Sequence, residues 1–82
     1  MVAEDQIYRG LADIFADVFL RDDIKLHAGL TARDVDGWDS FKNIEIIMAT
    51  EQRFRMKFTS AEMDNLQRLG DLVRIVAARG SV

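Results

Sequence analysis

Apolar residues recur at three- and four-residue intervals in three stretches of the chain. Over residues 4–20, Ile7, Leu11, Ile14, Phe15 and Val18 share one face, and Phe19 and Leu20 widen the stripe toward its end. This period predicts an amphipathic helix. Glu4 and Asp5 fall in its first turn, where negative charge complements the helix dipole. Residues 40–54 predict a second helix, with Phe41, Ile44, Ile47 and Met48 on one face and Ile46, Ala49 and Phe54 extending the arc sideways. That arc is wider than one packing contact requires. Burial on two sides is the expected reason, and contact with a partner or an apolar ligand is the alternative. Residues 69–79 predict a last helix: Leu69, Leu72, Val73 and Val76 face the core and Ile75 flanks them. Asp71 near its start and Arg74 and Arg79 toward its end carry the charges its dipole favours.

The remaining segments connect these three. Thr59-Ser60-Ala61-Glu62 has the form of a capping box, in which Thr59 accepts from the Glu62 amide while Glu62 reaches back. It predicts a short third helix, roughly residues 60–66, carrying Met63 and Leu66. Residues 55–58 form a short connection anchored by Met56 and Phe58. Residues 21–38 have no sustained period, but Ile24, Leu26, Leu30 and Val35 stand as isolated apolar anchors. A connection this long tends to be functional, and its anchors predict that it is pinned across the helices. Gly80-Ser81-Val82 is expected to fray. No stretch alternates as a strand would. The expected fold is all-α: a four-helix bundle with a short third helix and a long loop between the first and second helices.

Composition narrows the class. Eighty-two residues suit one domain, read here as 1–82. With no cysteine, a disulfide or thiolate-zinc framework is excluded. A small domain without such staples needs most of its apolar residues in one core. No apolar run approaches the ~20 residues of a membrane helix. The N-terminus lacks the basic start and apolar block of a secretory signal. A cytoplasmic monomer without membrane insertion is expected. The net charge of −3 argues against a nucleic-acid partner, which calls for a basic stripe. Charge is uneven. Residues 22–39 hold five aspartates against Lys25 and Arg33, whereas residues 40–58 hold Glu45 and Glu51 against Lys42, Arg53, Arg55 and Lys57.

Candidate chemistry concentrates at Asp36-Gly37-Trp38-Asp39-Ser40-Phe41, where the polar loop meets the second helix. Ser and Asp begin helices because their side-chain oxygens accept hydrogen bonds from first-turn amides, so a helix cap is one reading of Asp39-Ser40. Asp34-Val35-Asp36-Gly37 imitates part of an EF-hand loop. With Gly37 at the turn position, Ala32 and Asn43 fall where the first and last acidic ligands belong, and the match fails. His27 is the only histidine, and no metal site is expected on it. Ser40 has no evident histidine or lysine to activate it, and Asp39 beside it disfavours an alkoxide. Ser40 is therefore expected to be a substrate of another enzyme rather than a catalyst, and the chain is not expected to be an enzyme.

These residues together resemble the acyl carrier protein family, from the first helix through Ala78. The family's mark is Asp-Ser-Leu at the start of its second helix, and Asp39-Ser40-Phe41 occupies that mark. Gly37-Trp38 ahead of it is similar to the Gly-Trp-Asp-Ser variant of free-standing carriers. Ile44-Glu45-Ile46-Ile47-Met48-Ala49, then Glu51 and Phe54, follow the family's helix pattern, and Leu69-Gly70-Asp71-Leu72-Val73 resembles its entry to the last helix. The resemblance implies 4'-phosphopantetheine attached covalently to Ser40 and bearing acyl groups as thioesters. It implies that Asp39 helps hold the synthase's magnesium ion, and that Phe41, Lys42, Ile44, Glu45 and Met48 meet partners. Those partners would be a phosphopantetheinyl transferase and acyl-activating, ketosynthase-type or acyltransferase enzymes. Phe41 replaces the family's usual Leu, and Lys42, Arg53 and Arg55 stand where the family is strongly acidic. These departures imply a specialised carrier in a fatty-acyl, lipid or polyketide pathway. An aminoacyl or aryl carrier of a nonribosomal-peptide type pathway is an alternative. A helical interaction module in which Ser40 only caps is another, of a different class.

Overall fold

The helical periods are realised in a computed structural model that describes residues 2–81. Four α-helices occur among the described residues, and no strand. Helix α1 spans Glu4–Phe19, α2 Ser40–Phe54, α3 Ser60–Asp64 and α4 Leu69–Arg79. The long loop between α1 and α2 contains a single 3-10 turn at Ala32–Asp34. Helix α1 packs against both α2 and α4. Its face of Ile7, Leu11, Ile14 and Phe15 is buried, as its period predicts, and Leu69, Leu72, Val73 and Val76 of α4 close over it. Burial of these side chains, about 1.5–3 kcal/mol each, is the main term opposing chain entropy.

Close approach of α1 to α2 depends on Gly10. A Cβ there would lie 2.6 Å from Cζ of the buried Phe54 ring. The long loop is pinned as its anchors predict: Leu30 and Val35 are buried, and Ile24 and Leu26 pack against the core. The loop also serves α4. Its Leu30 and Ala28 carbonyls accept from the Leu69 and Gly70 amides at 2.8 and 2.9 Å, satisfying first-turn donors that would otherwise lack partners. Asp71 Oδ2 accepts from the Arg68 and Gln67 amides at 3.0 and 3.1 Å. These two bonds, Arg68's first, hold the Asp71 carboxyl below its ordinary range, with Arg74 contributing and partial burial opposing.

Three sequence expectations change. Helix α3 is shorter than residues 60–66: it ends at Asp64, and Asn65 is its C-cap, with both its backbone amide and its side chain donating to the Ala61 carbonyl. Its start is the expected box: the Thr59 amide donates to Glu62 Oε1 at 2.9 Å and the Glu62 amide to Thr59 Oγ1 at 3.1 Å. Arg79 then ties Glu62 and the Lys57 carbonyl to the end of α4. Of the C-terminal residues expected to fray, Gly80 and Ser81 are held by contacts. Gly80 is buried against Val76 and Phe54, and the Ser81 amide donates to the Phe54 carbonyl at 2.8 Å; Val82 lies outside the described residues.

The third change is the setting of α2. Its buried face is Ile46, Ile47, Thr50 and Phe54. Phe41, Ile44 and Met48, read above with Ile47 as one face, are 65%, 56% and 62% exposed. Thr50 reconciles the two faces. Its hydroxyl donates to the Ile46 carbonyl at 2.7 Å, so a polar residue enters the core with its hydrogen bond satisfied inside the helix.

Candidate functional site

The loop–helix junction is held from three sides, and Trp38 is the main anchor. Its ring meets Phe15 edge-on, with centroids 5.2 Å apart and planes at 86°, and a second edge contact to Phe19 lies at 6.2 Å. Phe15 and Phe19 are one helical turn apart on α1, so together they present a platform at its C-terminal end. Trp38 Nε1 donates to Asn43 Oδ1 on the first turns of α2 at 3.2 Å. One side chain thus joins α1, the loop and α2 immediately before Asp39-Ser40. Gly37 supplies the φ of +87° that turns the chain into Trp38, a value side-chain-bearing residues rarely adopt.

The cap belongs to Asp39. Its backbone is extended, and its Oδ1 accepts from the Lys42 amide at 2.9 Å. Ser40 is the first helical residue and is exposed. The reading of Ser40 as a cap is corrected accordingly: the capping oxygen sits one residue earlier, and the Ser40 hydroxyl is outside that role. Helix α2 has no acidic side chain in its first turn, and its Ser40 and Phe41 amides lie at the positive end of the helix dipole.

Lys42 is not an outward charge beside Ser40. Its ammonium donates to the Val18 carbonyl at the end of α1 at 3.2 Å and lies 3.7 Å from Glu45. A cation at a helix C-terminus is favourably placed, and this part-buried contact ties the two helices together. Arg53 likewise pairs with Asp13 of α1 at 3.2 Å. Lys42 and Arg53 are thus engaged within their own protein, whereas Arg55, at the C-cap of α2, is exposed.

Phe41, Ile44 and Met48 form a stripe on the outer face of α2, following Ser40 at the i, i+3, i+7 spacing. A cleft of about 320 Å³ borders Ser40 on its other side, between Trp38, Asp39 and Asn43 and the segment that contains Leu66, Arg68, Leu69 and Leu72. A shallower hollow of about 930 Å³ runs along the C-terminal half of α2 from Glu45 to Lys57 and does not include Ser40. Neither Ile44 nor Met48 faces the interior, and Ile47 is core. Apolar space beside Ser40 is provided by Leu66, Leu69 and Leu72 instead. These three come from beyond residue 65, and only the folded chain brings them to the serine. Among the described residues there is no cluster of three or more side chains able to hold a metal ion, and no helix long and apolar enough to cross a membrane.

Comparison of the chain with protein-family models and with curated proteins finds no match.

Proposed function

We propose that the protein is an acyl carrier protein that bears 4'-phosphopantetheine on Ser40 and carries acyl groups as thioesters in a specialised fatty-acyl, lipid or polyketide pathway. In this reading residues 1–82 are one carrier domain, and its helices form the family's four-helix bundle. The single observation that carries the proposal is the situation of Ser40: an exposed hydroxyl at the first position of a helix, freed from capping by Asp39 and held in place by Trp38. A carrier needs its attachment point accessible and fixed, and Ser40 is both.

The residues present suit the group. The Ser40 and Phe41 amides are left for a phosphodiester at the helix N-terminus, the Lys42 amide being taken by the Asp39 carboxylate. The cleft beside Ser40 offers Arg68 for polar contact and Leu66, Leu69 and Leu72 for apolar contact with an arm or its cargo. When bound, the group supplies a thiol that holds an acyl chain. The chain's own residues present the hydroxyl, orient it and bind the enzymes that do the chemistry. Asp39, its Oδ1 engaged by the Lys42 amide, has a second carboxylate oxygen for a transferase's magnesium ion.

Incubation with a broad-specificity phosphopantetheinyl transferase, coenzyme A and magnesium tests the proposal. Ser40 Oγ should gain the phosphopantetheinyl group as the pyrophosphate bond of coenzyme A breaks, releasing adenosine 3',5'-bisphosphate and the hydroxyl proton. Intact mass should show one addition to the wild type and none to Ser40→Ala. Addition at Ser60 or Ser81, or no addition to folded wild type, would refute it.

A further inference from the structure

The cleft beside Ser40 carries a cation that the fold leaves without a partner. Arg21, Arg53, Arg74 and Arg79 pair with Asp23, Asp13, Asp71 and Glu62. Arg68, which lines the cleft, makes no side-chain ion pair or hydrogen bond among the described residues. Asp71, the carboxylate closest to it along the chain on α4, is already taken. Its Oδ2 accepts from the Gln67 and Arg68 amides, and its Oδ1 lies 3.8 Å from the Arg74 guanidinium. Asn43 lines the cleft from α2. Its Oδ1 accepts from Trp38, and an indole N–H can only donate, so the Asn43 Nδ2 hydrogens point to other acceptors. They find none among the described residues. Asp39 stands on the rim with its Oδ1 engaged by the Lys42 amide. Leu69 and Leu72, 2% and 5% exposed, close the floor, with the half-buried Leu66 beside them. The cleft thus joins free donors to an apolar wall.

A volume of about 320 Å³ bounds what such a cleft takes. At about 30 Å³ per water-sized group, it admits on the order of ten of them, a short chain and its end group. A long alkyl chain would overrun it and would cover the Arg68 charge with nothing to pair it, which is costly. A carboxylate removes that cost, because the guanidinium presents its N–H groups in a fork that matches two carboxylate oxygens. We infer that the acyl group carried on the Ser40 arm is short and ends in a carboxylate, which Arg68 and the Asn43 amide hold in the cleft while its methylenes lie on Leu66, Leu69 and Leu72. This rests on the carrier reading of Ser40. The arm's own phosphodiester offers the same chemistry, anionic oxygen, but has the Ser40 and Phe41 amides to receive it. The unacylated arm separates the two sources.

The experiment loads wild type and Arg68→Gln with the broad-specificity transferase and coenzyme A, pentanoyl-coenzyme A or glutaryl-coenzyme A. Pentanoyl and glutaryl have equal carbon counts and differ in the terminal carboxylate. Arg68 is exposed and its side chain makes no cap bond to α4, so the variant should stay folded, which circular dichroism verifies. The readouts are melting temperature and the NMR signals of Arg68 Nε–H and Asn43 Nδ2. In wild type at low salt the glutaryl form should melt about 2–4 °C above the pentanoyl form, with both signals displaced from their positions in the unacylated form. Arg68→Gln should abolish the difference, and high salt should reduce it. Equal melting of the two acyl forms with unmoved signals would overturn this inference and leave the carrier reading standing. A pentanoyl form that melts above the glutaryl form would do the same, assigning the cleft to apolar cargo. An Arg68 signal that moves on attachment of the unacylated arm, with no further change on glutaryl loading, would assign the cation to the phosphodiester and overturn the inference. No addition to wild type would overturn both readings.

Discussion

Replacing Trp38 tests whether the fold and the presentation of Ser40 share one anchor. Trp38→Ala removes two edge-on aromatic contacts, at 5.2 and 6.2 Å, each worth about 0.5–1.5 kcal/mol beyond area burial. It also removes the indole N–H bond to Asn43, worth about 1 kcal/mol. Because Trp38 is only partly buried, the total should fall below the 3–5 kcal/mol of a full core Trp→Ala change, at about 2–3 kcal/mol. Trp38→Phe keeps a ring on the Phe15–Phe19 platform but has no N–H, and should cost about 1 kcal/mol. Asn43→Ala deletes the acceptor alone. Urea denaturation of these variants, followed by far-UV circular dichroism, gives the single costs, and the Trp38→Phe/Asn43→Ala double mutant gives the coupling. The coupling should be about 0.5–1 kcal/mol, with Trp38→Ala also slowing addition to Ser40 under conditions where the variant is fully folded. A Trp38→Ala cost within about 0.5 kcal/mol of zero, as for an ordinary surface position, would refute the anchor. So would strict additivity of Trp38→Phe and Asn43→Ala.

Three other outcomes follow from the geometry. Asp39→Ala should cost about 0.5–2 kcal/mol as the loss of an N-cap, whereas Ser40→Ala should stay within about 0.5 kcal/mol of wild type; thermal melts of the two rank them, and the reverse order would return the cap to Ser40. Gly10→Ala gains up to about 1 kcal/mol of helix propensity but forces a Cβ against Phe54, at about 1–3 kcal/mol for overpacking, so denaturation should show net destabilisation. Asp71 has a folded pKa depressed below its unfolded value of about 3.9, so its stabilisation is complete above that value and is lost as pH falls through the lower folded pKa. Between about pH 5 and pH 2 the stability gap between wild type and Asp71→Asn should therefore narrow; a gap that is constant with pH would show that the carboxylate's charge contributes nothing.

The helices were legible because their apolar residues repeat with the helical period, and α1 and α4 bury the faces their sequences mark, except that Leu20, read as widening the α1 stripe, is the left-handed cap after the helix and is 89% exposed. The pinned loop was legible from Leu30 and Val35, isolated apolar residues with no other reason to stand among aspartates. The rotation of α2 was not. Its sequence supports two helical faces, Phe41–Ile44–Met48 and Ile46–Ile47–Phe54, and the polar Thr50 interrupts the one that is buried. Only packing against α1, permitted at Gly10, selects between them. The partners of Lys42 and Arg53 were hidden for a similar reason: Val18 and Asp13 lie 24 and 40 residues away, and a charge's address depends on which helix stands opposite. Trp38 was visible as part of a motif, but its platform is built from α1. The phenylalanines one turn apart at Phe15 and Phe19 were the available signal.

The most direct measurement is the mass of the protein isolated from its native host, with fragmentation to locate any modification. The account predicts one phosphopantetheine, free or acylated, on the peptide containing Asp39-Ser40-Phe41 and attached to Ser40. Fully unmodified protein in cells whose other carriers are loaded, or an arm on any other residue, would contradict it.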